Sequence, residues 1–426
     1  MKKVVSPLLF FLLLAACTPK SNSLIEKQLL QMLDENDYFR IETLLEEKRS
    51  VLSQDIVLYV EAHLFNAFNR TEQSLQAIDE LLLRHAKPLN DTLLASVYQL
   101  KCDNLMKQYI YREAAEALQI AMDKYAHVLD SVALSDMHEV YNAIEPLQQP
   151  LPQKMYLTDD VTIPIARNQF NHVIMRVTCN GQSEDFIFDT GAALSSISES
   201  CAKQLGIRIL QSAVNVGTSI GSKVQSKVGV ADKLQIGELL LENVAFLIMP
   251  DEMLTFPQVN YMIHGIIGFP VMYQMKEIEI HKDQYLTVSA RPKKRNLRNL
   301  FLSGLSPIVS FEAEGDTVLF KMDTGANTSD FSEKYFAANK DKILAKGIPR
   351  MQKMGGAGGI IEREVYELEK VRLKIGGQAL TIPTITVLTD KFPFLETYDG
   401  NLGQDILMYY NKFILNFEDM YLAFEN

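Results

Sequence analysis

Phe188-Asp189-Thr190-Gly191-Ala192 recurs 134 residues later as Met322-Asp323-Thr324-Gly325-Ala326. Each copy ends an apolar run, Phe186-Ile-Phe188 in one case and Val318-Leu-Phe-Lys-Met322 in the other. Each leads into hydroxyl-rich sequence, Ser195-Ser196-Ile197-Ser198 and Thr328-Ser329-Asp330-Phe331-Ser332. Further on, Leu234-Gln-Ile-Gly237 is matched by Leu373-Lys-Ile-Gly376, and Ile266-Ile267-Gly268 by Asn401-Leu402-Gly403, whose glycines lie 79 and 80 residues after the respective Asp. The closing runs also match: Ile278-Glu-Ile280 with Tyr285-Leu-Thr-Val288, and Ile414-Leu-Asn-Phe417 with Tyr421-Leu-Ala-Phe424. A tripeptide repeats by chance; a string of partners in one order and spacing marks a duplicated unit.

From about Tyr156 onward the chain consists of short β-rich runs separated by turn signals, such as Asn180-Gly181, Glu314-Gly315-Asp316 and Gly376-Gly377. Two copies of a loop bearing one Asp each have a chemical use. Two carboxylates that face each other cannot both ionise easily, so they share a proton. The ionised member can take a proton from water while the protonated one donates to a carbonyl oxygen. The apparent pKa values of such a pair belong to both residues together.

The hydrophobic-Asp-Thr-Gly-Ala motif, a Gly-rich segment and then two apolar residues with Gly resemble the retropepsin family of aspartic proteases, over about residues 156–426. Lys353-Met354-Gly355-Gly356-Ala357-Gly358-Gly359-Ile360 resembles the flap tip of the retroviral members. The resemblance implies Asp189 and Asp323 as the catalytic pair, with both supplied by one chain as in two-lobed pepsins. It implies Thr190, Gly191, Ala192, Thr324, Gly325 and Ala326 as support for the active-site loops. Ile266, Ile267 and Gly268, with Asn401, Leu402 and Gly403, would pack beside those loops. Gly355, Gly356, Gly358 and Gly359 would form a mobile flap tip, with Gly217 and Gly221 as its counterpart, in a segment poorer in Gly. Neither metal nor other cofactor is expected. Two departures stand out: Lys321 replaces an apolar residue, read as pointing outward on an alternating strand, and Asn401 stands where the first copy has Ile266.

Between Leu24 and about Leu147 the period is helical. Leu75, Ile78, Leu81 and Leu82 recur at threes and fours, as do Ala114, Ala117, Leu118, Ala121 and Met122. Segments at Phe68 and Tyr109 match at an offset of 41, and Asp37-Tyr38-Phe39 suggests a third copy. The spacing resembles tetratricopeptide-type solenoids; an ordinary helical bundle is the alternative. The region holds no catalytic constellation and is expected to dock a protein partner or act as a spacer.

Lys2 and Lys3 precede the apolar run Pro7–Ala16, a secretory signal in form. It ends in Leu14-Ala15-Ala16-Cys17, which resembles the lipobox of bacterial lipoproteins and implies lipidation of Cys17. Of the other cysteines, Cys102, Cys179 and Cys201, at least one is unpaired; buried free thiols are expected, with a Cys179–Cys201 bridge as the alternative. The net charge of −11 argues against nucleic acid as a partner.

The expected architecture is multidomain, α plus all-β: signal peptide 1–16, lipidated tether 17–23, helical domain 24–147, first retropepsin-like β-barrel lobe 156–290, basic linker 291–300 and second lobe 301–426, the lobes related by pseudo-twofold symmetry. The linker, Arg291-Pro-Lys-Lys-Arg-Asn-Leu-Arg298, reads as solvated, or else as a contact for anionic lipid or a cutting site. The expected function is a membrane-anchored aspartic endopeptidase acting on peptides or exported proteins, held through lipid to a bacterial membrane, the outer one first, and facing periplasm or exterior. The alternative is a non-catalytic peptide- or protein-binding lipoprotein of the same fold. A third arrangement keeps the enzyme but pairs each lobe with its twin in a second molecule.

Overall fold

The computed structural model describes residues 22–210, 213–217, 223–282, 284–356, 359–391 and 397–425. The signal segment, Cys17, Gly221 and Gly358 lie outside the described residues. The described part opens with helices α1 (Ser23–Asp34), α2 (Tyr38–Lys48), α3 (Gln54–Ala67), α4 (Thr71–Glu80), α5 (Asp91–Lys107), α6 (Tyr111–Tyr125) and α7 (Ser131–Ile144). Asn22, Asn90 and Asp130 start α1, α5 and α7, their side-chain oxygens accepting from first-turn N–H groups that have no helical acceptor.

The pairs α1–α2, α3–α4 and α5–α6 each turn at a residue with positive φ: Asn36 at 57°, Asn69 at 60° and Tyr109 at 61°. The second and third of these turns are 109 − 69 = 40 residues apart, one fewer than the offset of 41 read from the sequence. A buried polar network ties α3, α4 and α5 together. Asn66 donates to Asn104 at 2.9 Å, Asn104 to Ser74 at 2.8 Å, and the Lys107 ammonium to the Asn66 carbonyl and side chain at 3.1 Å each. Satisfying every member is what makes such a network tolerable in a core.

The rest of the chain is β-rich, and one strand order occurs twice. In the first β region Val161–Arg167, Val173–Cys179 and Gln182–Phe188 form a meander, and Gly265–Ile267 pairs parallel to its last strand, with Ile266 opposite Ile187. In the second, Leu300–Ser303, Ser306–Ala313 and Asp316–Met322 form the meander, and Gly400–Leu402 pairs parallel to it, with Asn401 opposite Lys321. Side chains alternate in and out along these strands, as in the buried–exposed pattern of Val161–Arg167, so each meander lines a core with its apolar face.

Glu277–His281 and Lys412–Asn416 pair antiparallel, Glu277 opposite Asn416, and the strands Tyr285–Val288 and Tyr421–Glu425 flank them. This ladder joins the two β regions within one chain. The buried Glu277 carboxylate accepts from Asn416 at 2.8 Å and from the Tyr421 hydroxyl at 2.8 Å. The segment read as a solvated linker is largely exposed, and its side chains also make ion pairs. Arg295 pairs with Glu425, Lys293 with Glu279 at 3.3 Å, and Arg298 with Glu42 of α2, while the Arg298 guanidinium stands 4.4 Å from the Phe68 ring centroid. Its last residue, Leu300, already opens a strand.

The helices pack on both β regions. Phe301 enters an aromatic socket, 5.0 Å from Tyr38 and 6.2 Å from Phe39 between centroids, and joins Ile308 and Tyr398 in the core of α1–α4. The helices α5–α7 share an apolar cluster with Val214, Val228, Val230 and Leu247. The Tyr109 hydroxyl donates to the Pro270 carbonyl at 2.6 Å, and Tyr273 to Asn69 at 2.6 Å. Cys102, Cys179 and Cys201 are buried free thiols, and burial pushes their pKa values up.

Phe301 is fully buried. Phe301→Ala is expected to cost about 3–5 kcal/mol. A urea melt reads the loss, and limited proteolysis between Pro146 and Pro152 should speed up as the helices loosen.

Candidate active site

Two loops meet where the β regions join. Each begins as its strand ends: the Asp189 N–H donates to the Ile267 carbonyl and the Asp323 N–H to the Leu402 carbonyl, both at 3.0 Å. The chain then turns back, Ala192 N–H to Asp189 carbonyl at 3.3 Å and Ala326 N–H to Asp323 carbonyl at 3.2 Å. Behind the turns, Gly268 N–H donates to the Ser195 hydroxyl at 3.0 Å and Gly403 N–H to the Ser329 hydroxyl at 2.8 Å. The segments Ile266–Gly268 and Asn401–Gly403 thus lie beside the loops and hold them.

The threonines cross from loop to loop. The Thr190 N–H donates to the Thr324 hydroxyl and the Thr324 N–H to the Thr190 hydroxyl, each at 3.0 Å. The hydroxyls donate onward, Thr190 to the Met322 carbonyl at 3.1 Å and Thr324 to the Phe188 carbonyl at 2.8 Å. Both side chains are fully buried, so four mutual bonds replace those lost to water.

This clamp brings the acids face to face. A Cβ on Gly191 would stand 2.6 Å from Asp323 Cγ, and one on Gly325 would stand 2.5 Å from Asp189 Cγ. Any side chain at either position would therefore push the opposite carboxyl away. The Gly191 N–H donates to Asp189 Oδ1 at 2.7 Å and the Gly325 N–H to Asp323 Oδ1 at 2.9 Å. Asp189 is half-buried, and its pKa is pushed up to about 7. Burial is the main cause and the Asp323 charge the second; a hydrogen bond with the Asp323 side chain adds to them, while the Gly191 N–H and the Lys321 charge oppose.

Two groups here escaped the sequence reading, His172 and Asp330, and two that it named, Lys321 and Asn401, reach further than it placed them. Lys321, read as outward, is half-buried, and its charge reaches Asp189. His172 ends a turn in which Asn168 Oδ1 accepts from the Phe170 and His172 N–H groups, both at 3.0 Å. It sits by the Gly325 carbonyl and the Asp323 charge, yet burial holds its pKa below the usual imidazole value. The Asn168 cue marks a turn, but nothing local marks its destination. Asn401, placed beside the loop from sequence, also reaches the acid: its Nδ2 donates to Asp323 Oδ2 at 3.4 Å. Asp330 is buried nearby. His264, by contrast, contributes its carbonyl, which accepts from the Ser198 N–H at 3.0 Å.

The two candidate flap segments are hairpins of unequal length. Ile348–Gly356 pairs with Gly359–Ile375, with Gly355 opposite Ile360 and Gly356 opposite Gly359. Val214–Gly217 pairs with the start of Lys223–Ile236, with Gly217 opposite Lys223. At the base of the shorter hairpin, Val214 is buried in the cluster that contains Met137, Ala143 and Ile144 of α7.

A family model described as aspartyl protease matches residues 175–271. That span contains Asp189 and Ile266–Gly268 and stops short of Asp323. No curated protein matches the chain.

Two outcomes follow. Thr190→Val removes the acceptor of the Thr324 N–H and strands it in the core, at an expected cost of about 1–3 kcal/mol; a double-mutant cycle with Thr324→Val should show coupling between the two sites. Asp189 has a folded pKa above its unfolded value of about 4, so folding binds a proton between the two values and stability falls as pH rises from about 4 to about 7. Asp189→Asn should be more stable than the parent at pH 7–8, on the order of 2 kcal/mol, with the advantage gone below about pH 4. Thermal melts across pH read this.

Proposed function

We propose that the chain is an aspartic endopeptidase that hydrolyses peptide bonds at a two-Asp site between two lobes of one chain. The observation that carries the reading is the close approach of the half-buried Asp189 and Asp323, each pressed against the other loop's glycine, with the Asp189 pKa pushed up to about 7. Two carboxyls so placed hold one proton between them and can bind one water. The match to the aspartyl protease model over residues 175–271 supports the same reaction.

In the proposed mechanism the ionised carboxylate takes a proton from the water as its oxygen attacks the peptide carbon. The protonated carboxyl gives its proton to the carbonyl oxygen, and the tetrahedral gem-diol forms. The C–N bond breaks as the amine receives a proton from one carboxyl and the diol returns one to the other. The pair then again carries a single proton. The loops are held rigid by the Thr190–Thr324 bonds, so little reorganisation accompanies the step. The substrate would lie extended beneath the hairpin of Ile348–Gly356 and Gly359–Ile375, bonding its main chain as an added strand.

The lipid anchor at Cys17, the export to a bacterial envelope and the docking role of the helices belong to this proposal too. The anchor rests on Leu14-Ala15-Ala16-Cys17. Cys17→Ser should shift the protein from the membrane fraction to the soluble one on cell fractionation.

Digestion of a diverse peptide mixture by the chain from Cys17 onward tests the activity. Asp189→Asn and Asp323→Asn should each lower turnover by about 10²–10⁴-fold while leaving the fold intact. The rate should fall as pH rises through about 7, because there the pair loses its shared proton. Cleavage retained in both variants sinks the reading.

A further inference from the structure

The two halves differ along the row of side chains that crosses the site. In the first half, Ser196 stands opposite Ile266, and Ile266 opposite Ile187. In the second, Asp330 stands opposite Asn401, and Asn401 opposite Lys321. Ser196 and Asp330 each lie seven residues after the Asp of their loop. One wall is thus mostly apolar and the other polar, although the positions correspond.

The polar row runs to one carboxyl. Asn401 Nδ2 donates to Asp323 Oδ2 at 3.4 Å. Its other atom, Oδ1, is buried and has no hydrogen-bond partner, and neither has Asp330 Oδ1. Residues directly opposite in an antiparallel pair point to one face, with Cβ atoms about 4.5–5.5 Å apart. Asp330 and Asn401 are such a pair. A carboxylate there would set acceptor against acceptor in a buried site, whereas a carboxylic acid supplies the one donor that Asn401 Oδ1 lacks. The environment favours the acid: Asp330 is buried, with Asp323 and Asp405 as the charged groups acting on it, and its pKa stands well above the usual carboxylate range. Asp405 is already engaged, its Oδ1 accepting from the Ser329 N–H at 2.8 Å. Among the described residues, the charged or titratable groups around the catalytic pair include Lys321, which acts on Asp189, His172, which lies beside Asp323, and Arg167, which acts on His172.

We propose that Asp330, as the neutral acid, is a positioning residue that donates to Asn401 Oδ1, aims the Asn401 amide at Asp323, and so makes Asp323 the ionised member that takes the proton from water. Asp189 is then the member that holds the shared proton. The inference rests on the aspartic protease reading and adds an assignment of roles to its two acids. The first half cannot make the same relay, because Ile266 has no polar atom to pass it on.

The test compares the wild-type chain with Asp330→Ala and Asp330→Asn by the pH dependence of kcat/KM, with melting temperatures to check folding. Asp330→Ala leaves Asn401 Oδ1 without a donor. Its acid limb should move up by about one pH unit and kcat fall about tenfold, with KM changed less than kcat. Asp330→Asn retains an N–H donor and should hold the acid limb at the wild-type position. An unmoved limb in Asp330→Ala, or an equal shift in Asp330→Asn, overturns the proposal. Titration of 13C-labelled aspartate carboxyls, without substrate, reads the Asp323 proton directly: its pKa should rise in Asp330→Ala and not in Asp330→Asn. If the wild type cuts no peptide yet this titration moves, the endopeptidase reading fails and the relay stands. If peptides are cut and the Asp323 titration stays put, the relay fails alone.

Discussion

Everything at the site depends on two buried threonines, each bonded to the backbone of the other's loop. Like charges repel, and a facing pair of carboxyls would separate if the loops were free. The bonds between Thr190 and Thr324 forbid it, because breaking them would strand two N–H groups in the core. The missing side chains at Gly191 and Gly325 then let the carboxyls close the remaining gap. What remains for the electrostatics to adjust is the proton, and the raised pKa of Asp189 is the mark of that adjustment. The joint ladder of Glu277–His281 with Lys412–Asn416 and the helices packed on both β regions keep the loops in register from further out.

Joining both loops in one chain has a chemical consequence. A symmetric dimer applies every substitution to both sides of its axis at once. A single chain does not, and here the two sides have diverged: Ile187 against Lys321, Ile266 against Asn401, Ser196 against Asp330. The hairpins diverge in the same way, one short and rooted against α7, the other long. Two carboxyls that share one proton are then unequal partners, because different side chains stand behind each.

The repeated loop was legible because its signal is local: five residues, their strand and their glycine partners recur at nearly equal spacing. The ion pairs of the basic stretch were not legible because its partners are remote. Arg295 meets Glu425 across 130 positions and Arg298 meets Glu42 across 256, separations that composition does not register. Lys321 was set aside on strand alternation, which gives a face of the sheet but not what that face looks onto. His172 and Asp330 carry ordinary residue types in ordinary surroundings, and only folding places them near Asp323.

By itself, the order of residues determined a helical segment followed by a β-rich region that carries one Asp-Thr-Gly-Ala loop twice. Those features follow from periodicity, turn chemistry and repetition, all of which act over short range. Tertiary structure alone decided that the two acids meet across their loops and that the helices brace both β regions. It also decided that an amide and a third carboxyl stand behind only one of the acids. These depend on strands meeting across more than a hundred residues, and no local pattern encodes the distance at which such groups come to rest.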